Sequence, residues 1–163
     1  MGIEIERKFL LQSDAWRREI SLSHTLRQGY LVSDATRSVR VRVGDNGAQL
    51  NIKSATLGME RREYEYEIPR NEGEELLGLC QQPLLEKVRH FVHRDGHCWE
   101  IDEFGGCNAG LIVAEIELTH RHQAITLPPW IGQEVTMDKR YYNAYLVQYP
   151  YRRWSEEESR RDE

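Results

Sequence analysis

Charged residues at alternate positions dominate this chain's chemistry. The opening stretch IEIERKF sets Glu4, Glu6 and Lys8 between Ile3, Ile5, Arg7 and Phe9. RSVRVRV does the same with Arg40 and Arg42, QLNIKS with Lys53, and ERREYEYEIP with Arg61, Glu63, Glu65 and Glu67. EKVRHFV carries Lys87 and Arg89, CWEIDEF carries Glu100 and Asp102, and VAEIELT carries Glu115 and Glu117. Such rows could hold two ligands of opposite sign. Carboxylate oxygens suit a hard divalent cation such as Mg²⁺ or Mn²⁺. Arginine forks and lysine point charges suit phosphate oxygens. A water beside the metal could then attack phosphorus without any nucleophilic side chain.

A simpler reading makes each row the wet face of a half-buried sheet laced with cross-strand ion pairs. For any single row that reading is the better one. Seven rows together weaken it, because they are nearly pure in sign and set like charges side by side at Glu4/Glu6, Glu100/Asp102 and Glu115/Glu117. Like charges destabilise a sheet unless something of opposite charge sits among them. Rows turned inward, with apolar rows packing outward, would need bound cations and a bound polyanion to be affordable.

The elements that must carry these rows read as strands of period two. They are expected at about 2–10, 26–32, 36–44, 47–53, 60–69, 84–93, 97–104 and 110–118. GDNG at 44–47 is a hairpin signal in which Asn46 and Gly47 would supply positive φ, and RDG at 94–96 is another. Helices are expected after Ser13, over 71–80 entered at Asn71, as a turn or short helix near 119–126, and over 138–149 before Pro150. The fold class is therefore α+β: a closed eight-stranded antiparallel β-barrel forming a tunnel, with helices packed outside.

The chain has 163 residues and a net charge of −5, which fits one mildly acidic domain with no bulk attraction for nucleic acid or an anionic membrane. No apolar run approaches the ~18 residues of a membrane span, and no basic-then-apolar leader precedes the first strand. The three cysteines lack C-x-x-C spacing and point to free thiols in the cytoplasm. His120 and His122 have the i, i+2 spacing of a strand-borne metal site, but THRHQ reads as a loop or short helix, so no metal is expected there. No Gly-rich phosphate loop is present.

The ordered set of rows resembles the CYTH family, the triphosphate tunnel metalloenzymes. The match begins at E-x-E-x-K, Glu4 to Lys8, and runs through R-x-R at Arg40 and Arg42, Lys53, and R-x-E-x-E at Arg61 to Glu65. It continues through K-x-R at Lys87 and Arg89, E-x-D at Glu100 and Asp102, E-x-E at Glu115 and Glu117, and DKRYYN, Asp138 to Asn143. The resemblance covers about 2–148. It implies an eight-stranded tunnel that binds triphosphates with Mg²⁺ or Mn²⁺. Carried over by position, Glu4, Glu6, Glu63, Glu65, Asp102, Glu115 and Glu117 would hold metal or the attacking water. Lys8, Arg40, Arg42, Lys53, Arg61, Lys87, Arg89 and Arg140 would hold phosphates; Lys139 would bind phosphate or pair with an acid. Glu4, Glu6, Lys8, Glu65, Asp102 and Glu117 form the expected catalytic set. Glu67 and Glu100 share the face but could pair at the rim, and Tyr30 fits a family position or simple packing.

Within the family, the signature so near the first residue looks most like the small bacterial inorganic triphosphatases. Only Met1, Gly2 and Ile3 precede Glu4, leaving no room for the His-Phe element that the family's adenylyl cyclases tend to carry. A cyclase or thiamine triphosphatase also needs a place for a ring, with Trp16, Trp99, Trp130 and Trp154 as candidates beside a packing role. The expected activity is metal-dependent hydrolysis of inorganic triphosphate to pyrophosphate and phosphate. The alternatives are those two relatives, a non-catalytic polyphosphate or nucleotide binder, and a ligand-free ion-paired barrel. A homodimer stays open. The expected domain is 1–150, followed by a charged tail, 151–163, that is solvated or covers a tunnel mouth.

Overall fold

A computed structural model describes residues 2–54 and 59–154. Nine strands are described: β1 (Gly2–Leu11), β2 (Ile20–Ser33), β3 (Arg37–Gly44), β4 (Gly47–Ser54), β5 (Glu60–Ile68), β6 (Leu85–Arg94), β7 (His97–Phe104), β8 (Ile112–Glu117) and β9 (Ile131–Glu134). The order β5-β4-β3-β2-β6-β7-β8-β1-β9, with β5 also pairing β1, closes eight strands into an antiparallel barrel and leaves β9 as an appendage on β1. Closure removes the free edges that eight charged strands would otherwise present.

Period-two patterning explains most of these strands, and the departures have local causes. β2 begins six residues before its expected start, because ISLSHT alternates and pairs with β6 from Ile20 opposite Val92. β9 is only four residues, IGQE, without alternation; it forms where β1 runs on past its pairing with β5, which ends at Ile5, and offers Phe9 to Leu11 on that same edge, opposite β8. The β3–β4 hairpin turns with Gly47 at φ +124, but Asn46 does not take positive φ. At the β6–β7 turn both Asp95 (φ +53) and Gly96 (φ +76) do, as a two-residue hairpin requires.

The helices are shorter than expected. The segment after Ser13 is a 3-10 helix, Ala15–Glu19. α1 (Arg70–Leu77) is entered at Pro69 rather than Asn71, as suits a residue whose missing N–H costs nothing at a helix start. Residues 119–126 make turns without a helix. The 138–149 stretch splits into a 3-10 helix, Lys139–Tyr141, and α2 (Asn143–Gln148), because Tyr142 between them is extended (ψ 138).

Apolar residues cover the barrel's outside in two places and close part of one end. On one flank Phe9, Trp99, Ile101 and Ile116 meet Trp16 and Trp130 from the connecting segments, with edge-to-face ring contacts at 5.7 and 5.9 Å. On the other, α1 lies on β3 and β4 through Val41, Val43, Ala48 and Leu77. Gly73 makes that approach close: a Cβ there would stand 2.7 Å from the Ala48 Cβ. At the end, Tyr30, Leu85, Phe104 and Val113 meet Tyr141, Leu146, Val147 and Trp154. Ordered packing therefore continues through Trp154. The rest of the charged tail, and with it the tail as a tunnel cover, lies outside the described residues.

Candidate active site

Residues directly opposite in an antiparallel pair share a face, so the register decides what the tunnel contains. Glu4 faces Arg61, Glu6 faces Glu117, and Lys8 faces Glu115. Lys53 faces Ser38 and Glu63, while Arg40 and Glu65 both face Asn51. Arg89 faces Asp102, and Glu100 faces Glu115. The alternate residues Val41, Val43, Trp99, Ile101 and Ile116 pack in the outer clusters. The charged rows therefore point inward.

Inside, β4, β3 and β6 contribute a basic wall, with Gln28 of β2 between the last two, and β1, β5, β7 and β8 a mainly acidic one. Lys8 Nζ donates to Glu115 at 2.6 Å and lies 3.3 Å from Glu6. Although burial opposes it, the pair Glu115 and Glu6 raises Lys8 well above the ordinary lysine range. Arg61 and Lys53 meet Glu4 at 3.2 and 3.4 Å, and Arg61 reaches Glu6 at 3.5 Å. Burial pushes Glu4 and Glu6 up, but these cations hold both carboxyls below the usual range. Lys53 is different: burial, then Arg40 and Arg61, bring it down to about 7 despite Glu4 and Glu6. Burial also takes Arg42 down to about 10, with Arg40 and Arg89 adding to the effect.

Asp102 is 1% exposed. Arg89 donates to both its oxygens at 2.8 and 2.9 Å, and Lys87 donates to Oδ2 at 2.7 Å. Glu63 lies 3.3 Å from Lys53, and Glu65 accepts from Asn51 at 2.9 Å. Glu117 has no ion pair among the described residues; partial burial, then Glu4, Glu100 and Glu6, raise its carboxyl. Burial likewise raises Glu100 against the pull of Arg89. Among the described residues no three acid, His or Cys side chains are drawn together into a ready-made metal cluster, because most tunnel acids lean on a neighbouring base. The donor set nevertheless fits a hard cation. Carboxylates face carboxylates at Glu6/Glu117 and Glu100/Glu115, and the resulting repulsion is what a divalent ion relieves.

A cavity of about 250 Å³ enters the barrel beside α2. Glu6, Lys8, Arg40, Lys53 and Arg61 line it within, and Arg37, Lys139 and Tyr142 line it towards the mouth. Of the expected phosphate ligands, Arg42, Lys87, Arg89 and Arg140 are not in this lining: Lys87 and Arg89 are held by Asp102, Arg42 lies near Glu65, and Asp138 holds the Arg140 guanidinium, which lies over Tyr141 at 5.6 Å and Trp154 at 5.3 Å. Glu67 is exposed and faces Gln49. The four tryptophans are buried in the apolar clusters. His120 and His122 lie in exposed turns.

Sequence reasoning passed over Gln28 and Asn51, both fully buried in tunnel-facing positions opposite Arg42 and Arg40. Their signal was weak: a neutral amide in RQGYL or QLNIK carries no charge row. It also passed over Arg37 and Tyr142 at the mouth.

The likenesses to known proteins agree with this geometry. A protein of Acetivibrio thermocellus named inorganic triphosphatase is 45% identical over 157 residues, covering 96% of this chain and all of that one. A protein of the same name from Nitrosomonas europaea is 37% identical, covering 88% of this chain and 96% of its own length. A crystal structure of an inorganic triphosphatase is 35% identical with a TM-score of 0.64, covering 90% and 95% of the two chains. A Hippeastrum protein with a dominant triphosphatase activity shares the fold at 18% identity and a TM-score of 0.55, over 74% of this chain and 80% of that one. The CYTH domain profile matches residues 2–144. With its charged rows closed into one tunnel, this chain belongs to the CYTH domain family.

Proposed function

We propose that this chain hydrolyses inorganic triphosphate to pyrophosphate and phosphate inside the tunnel. The observation that carries the reading is the pair of walls: a buried Arg40 with no carboxylate partner among the described ion pairs stands across from carboxylates that repel one another. The curated relatives named above act on the same substrate class. Triphosphate tunnel enzymes of the CYTH family are metal-dependent. Mg²⁺ or Mn²⁺ is the choice for an all-oxygen donor set.

Lys8, Arg40, Arg42, Lys53, Arg61, Lys87 and Arg89 bind the phosphate chain, with Lys139 receiving it at the mouth. Asp102 holds Lys87 and Arg89 in place as a positioning residue and lies beside the metal-binding acids. Glu4, Glu6, Glu63, Glu65, Glu115 and Glu117 make the cation site. A divalent cation held by these carboxylates would neutralise phosphoryl oxygens and acidify a nearby water. Glu117, with its raised carboxyl, accepts the proton as that water's oxygen bonds to phosphorus. The bridging P–O bond breaks, and pyrophosphate leaves towards the basic wall.

No described helix is long and apolar enough to cross a membrane, and the unpaired Cys80, Cys98 and Cys107 suit the cytoplasm. Nucleic acid is no partner in this reading. A homodimer is testable by light scattering.

The experiment is phosphate release from tripolyphosphate, ATP and thiamine triphosphate in EDTA, Mg²⁺ or Mn²⁺, with Glu4→Gln alongside. Metal- and Glu4-dependent turnover with tripolyphosphate fastest is expected. Binding without turnover of any of the three would replace hydrolysis with the binding reading.

A further inference from the structure

Gln28 is 0% exposed, and among the described residues neither its Nε2 nor its Oε1 has a hydrogen-bond partner. Native proteins rarely leave a buried amide wholly unpaired, and its setting shows what is missing. Gln28 faces Arg42 on β3 and Leu85 on β6, so its diagonal neighbours are Arg40 and Lys87. It is a neutral donor and acceptor set among three cations. The Nε atoms of Arg40 and Arg42 are also buried and unpaired. Three orphan donors and one orphan acceptor thus lie on adjacent strands of the basic wall.

We propose that Gln28 is a further substrate-positioning residue, which completes its hydrogen bonds only when a phosphate chain occupies the tunnel. Phosphoryl oxygens draw the outer nitrogens of the two guanidiniums towards the chain. The Nε–H of Arg42 then turns to Gln28 Oε1, its partner in register, and Gln28 Nε2 donates to the phosphoryl oxygen so held. Gln28 can thus both brace an arginine and add a neutral donor. The role rests on the proposed phosphate binding, though not on hydrolysis.

The test uses Gln28→Met, close in length and without strong hydrogen-bonding groups, and Gln28→Glu, which keeps the acceptor and adds a charge that competes with phosphate for Arg42. KM and kcat are measured for tripolyphosphate with metal. The Kd for tripolyphosphate is measured by calorimetry in EDTA, and the melting temperature of each empty protein is recorded. Losing one such bond corresponds to roughly tenfold. Gln28→Met is expected to raise both KM and the EDTA Kd about tenfold, with kcat within about twofold and an unchanged or higher melting temperature. Gln28→Glu is expected to weaken binding further. Unchanged KM and Kd would overturn the proposal. So would a fall in melting temperature with kcat lost in parallel, which marks a merely structural residue. If the unsubstituted chain binds tripolyphosphate without hydrolysing it, hydrolysis fails while the EDTA measurement still decides Gln28. If it does not bind, both fail.

Discussion

Asp102→Asn removes one buried negative charge and leaves two buried positive ones. The Lys87 side chain is 0% exposed and that of Arg89 12%, and both direct their hydrogen bonds at the Asp102 carboxylate. The remaining acid beside Arg89 is Glu100, at 3.6 Å. Breaking a buried pair by removing one partner costs about 3–5 kcal/mol. Lys87 limits the loss. Burial, with the charge of Arg89, already holds it down to about 8 against the pull of Asp102, so it can shed its proton near neutral pH once the carboxylate is gone. For a chain of this size each kcal/mol moves the melting temperature by about 2–4 °C, so the expected drop at pH 7 is roughly 6–20 °C. The pH dependence gives a second signature. Burial raises the Asp102 carboxyl, but Arg89 and Lys87 hold it far below its usual range. Its contribution is therefore present above the unfolded carboxyl pKa of about 3.9 and is lost as pH falls below it. The gap between native and substituted chains should widen as pH falls from 8 to 5, where Lys87 of the variant regains its proton with no carboxylate beside it, and narrow below about pH 4. Tripolyphosphate should stabilise the variant more than the native chain by supplying the missing anion. Thermal unfolding followed by circular dichroism, with and without tripolyphosphate, measures all three. A variant melting within 2 °C of the native chain at pH 7 would refute the buried-charge argument.

Three further outcomes follow from the same geometry. Tripolyphosphate binding in EDTA at pH 8 should take up protons, because Lys53, at about 7 in the empty tunnel, regains its charge beside phosphate; calorimetry in buffers of different ionisation enthalpy should show the uptake fading below pH 7 and shrinking in Lys53→Met. In the empty protein the same depressed lysine penalises folding fully below pH 7, and the penalty lifts as pH rises towards the unfolded value of about 10.4. Glu117→Gln relieves repulsion from Glu4, Glu100 and Glu6, so the metal-free melting temperature should hold or rise, while loss of the proton acceptor should lower kcat about 100-fold or more and the remaining activity should need roughly tenfold more Mg²⁺; an unchanged metal requirement would remove Glu117 from the cation site. Gly73→Ala improves helix propensity yet places a Cβ 2.7 Å from Ala48, so urea unfolding should show a net loss of about 1–3 kcal/mol, and a gain would mean α1 can shift outward.

Much of this protein was legible in one dimension because a β-strand has period two. Once Arg40 and Arg42 alternate with Val39, Val41 and Val43, one face must be charged and the other apolar, and the repetition of that pattern over seven of the eight expected strands points to a closed sheet. The hairpin at Asp95-Gly96 was equally local, since few residue pairs take positive φ together. Short-range patterns could not show β9, which forms on the edge of β1 that β5 leaves open beyond Ile5, or α2's shortness, set by an extended Tyr142. They could not show which acids stay uncompensated, because Asp102 and Glu117 look alike until register gives one an arginine and a lysine and the other Glu6. Nor could they separate Lys139, which lines the cavity, from Arg140 beside it, which Asp138 holds over Tyr141 and Trp154. Residue type and spacing determined the tunnel and the sign of its rows. Electrostatic coupling and unmet hydrogen bonds fall off over a few ångströms between residues far apart in the chain, so only the tertiary structure decided how each tunnel group is balanced, and that Gln28 stands unpaired among three cations.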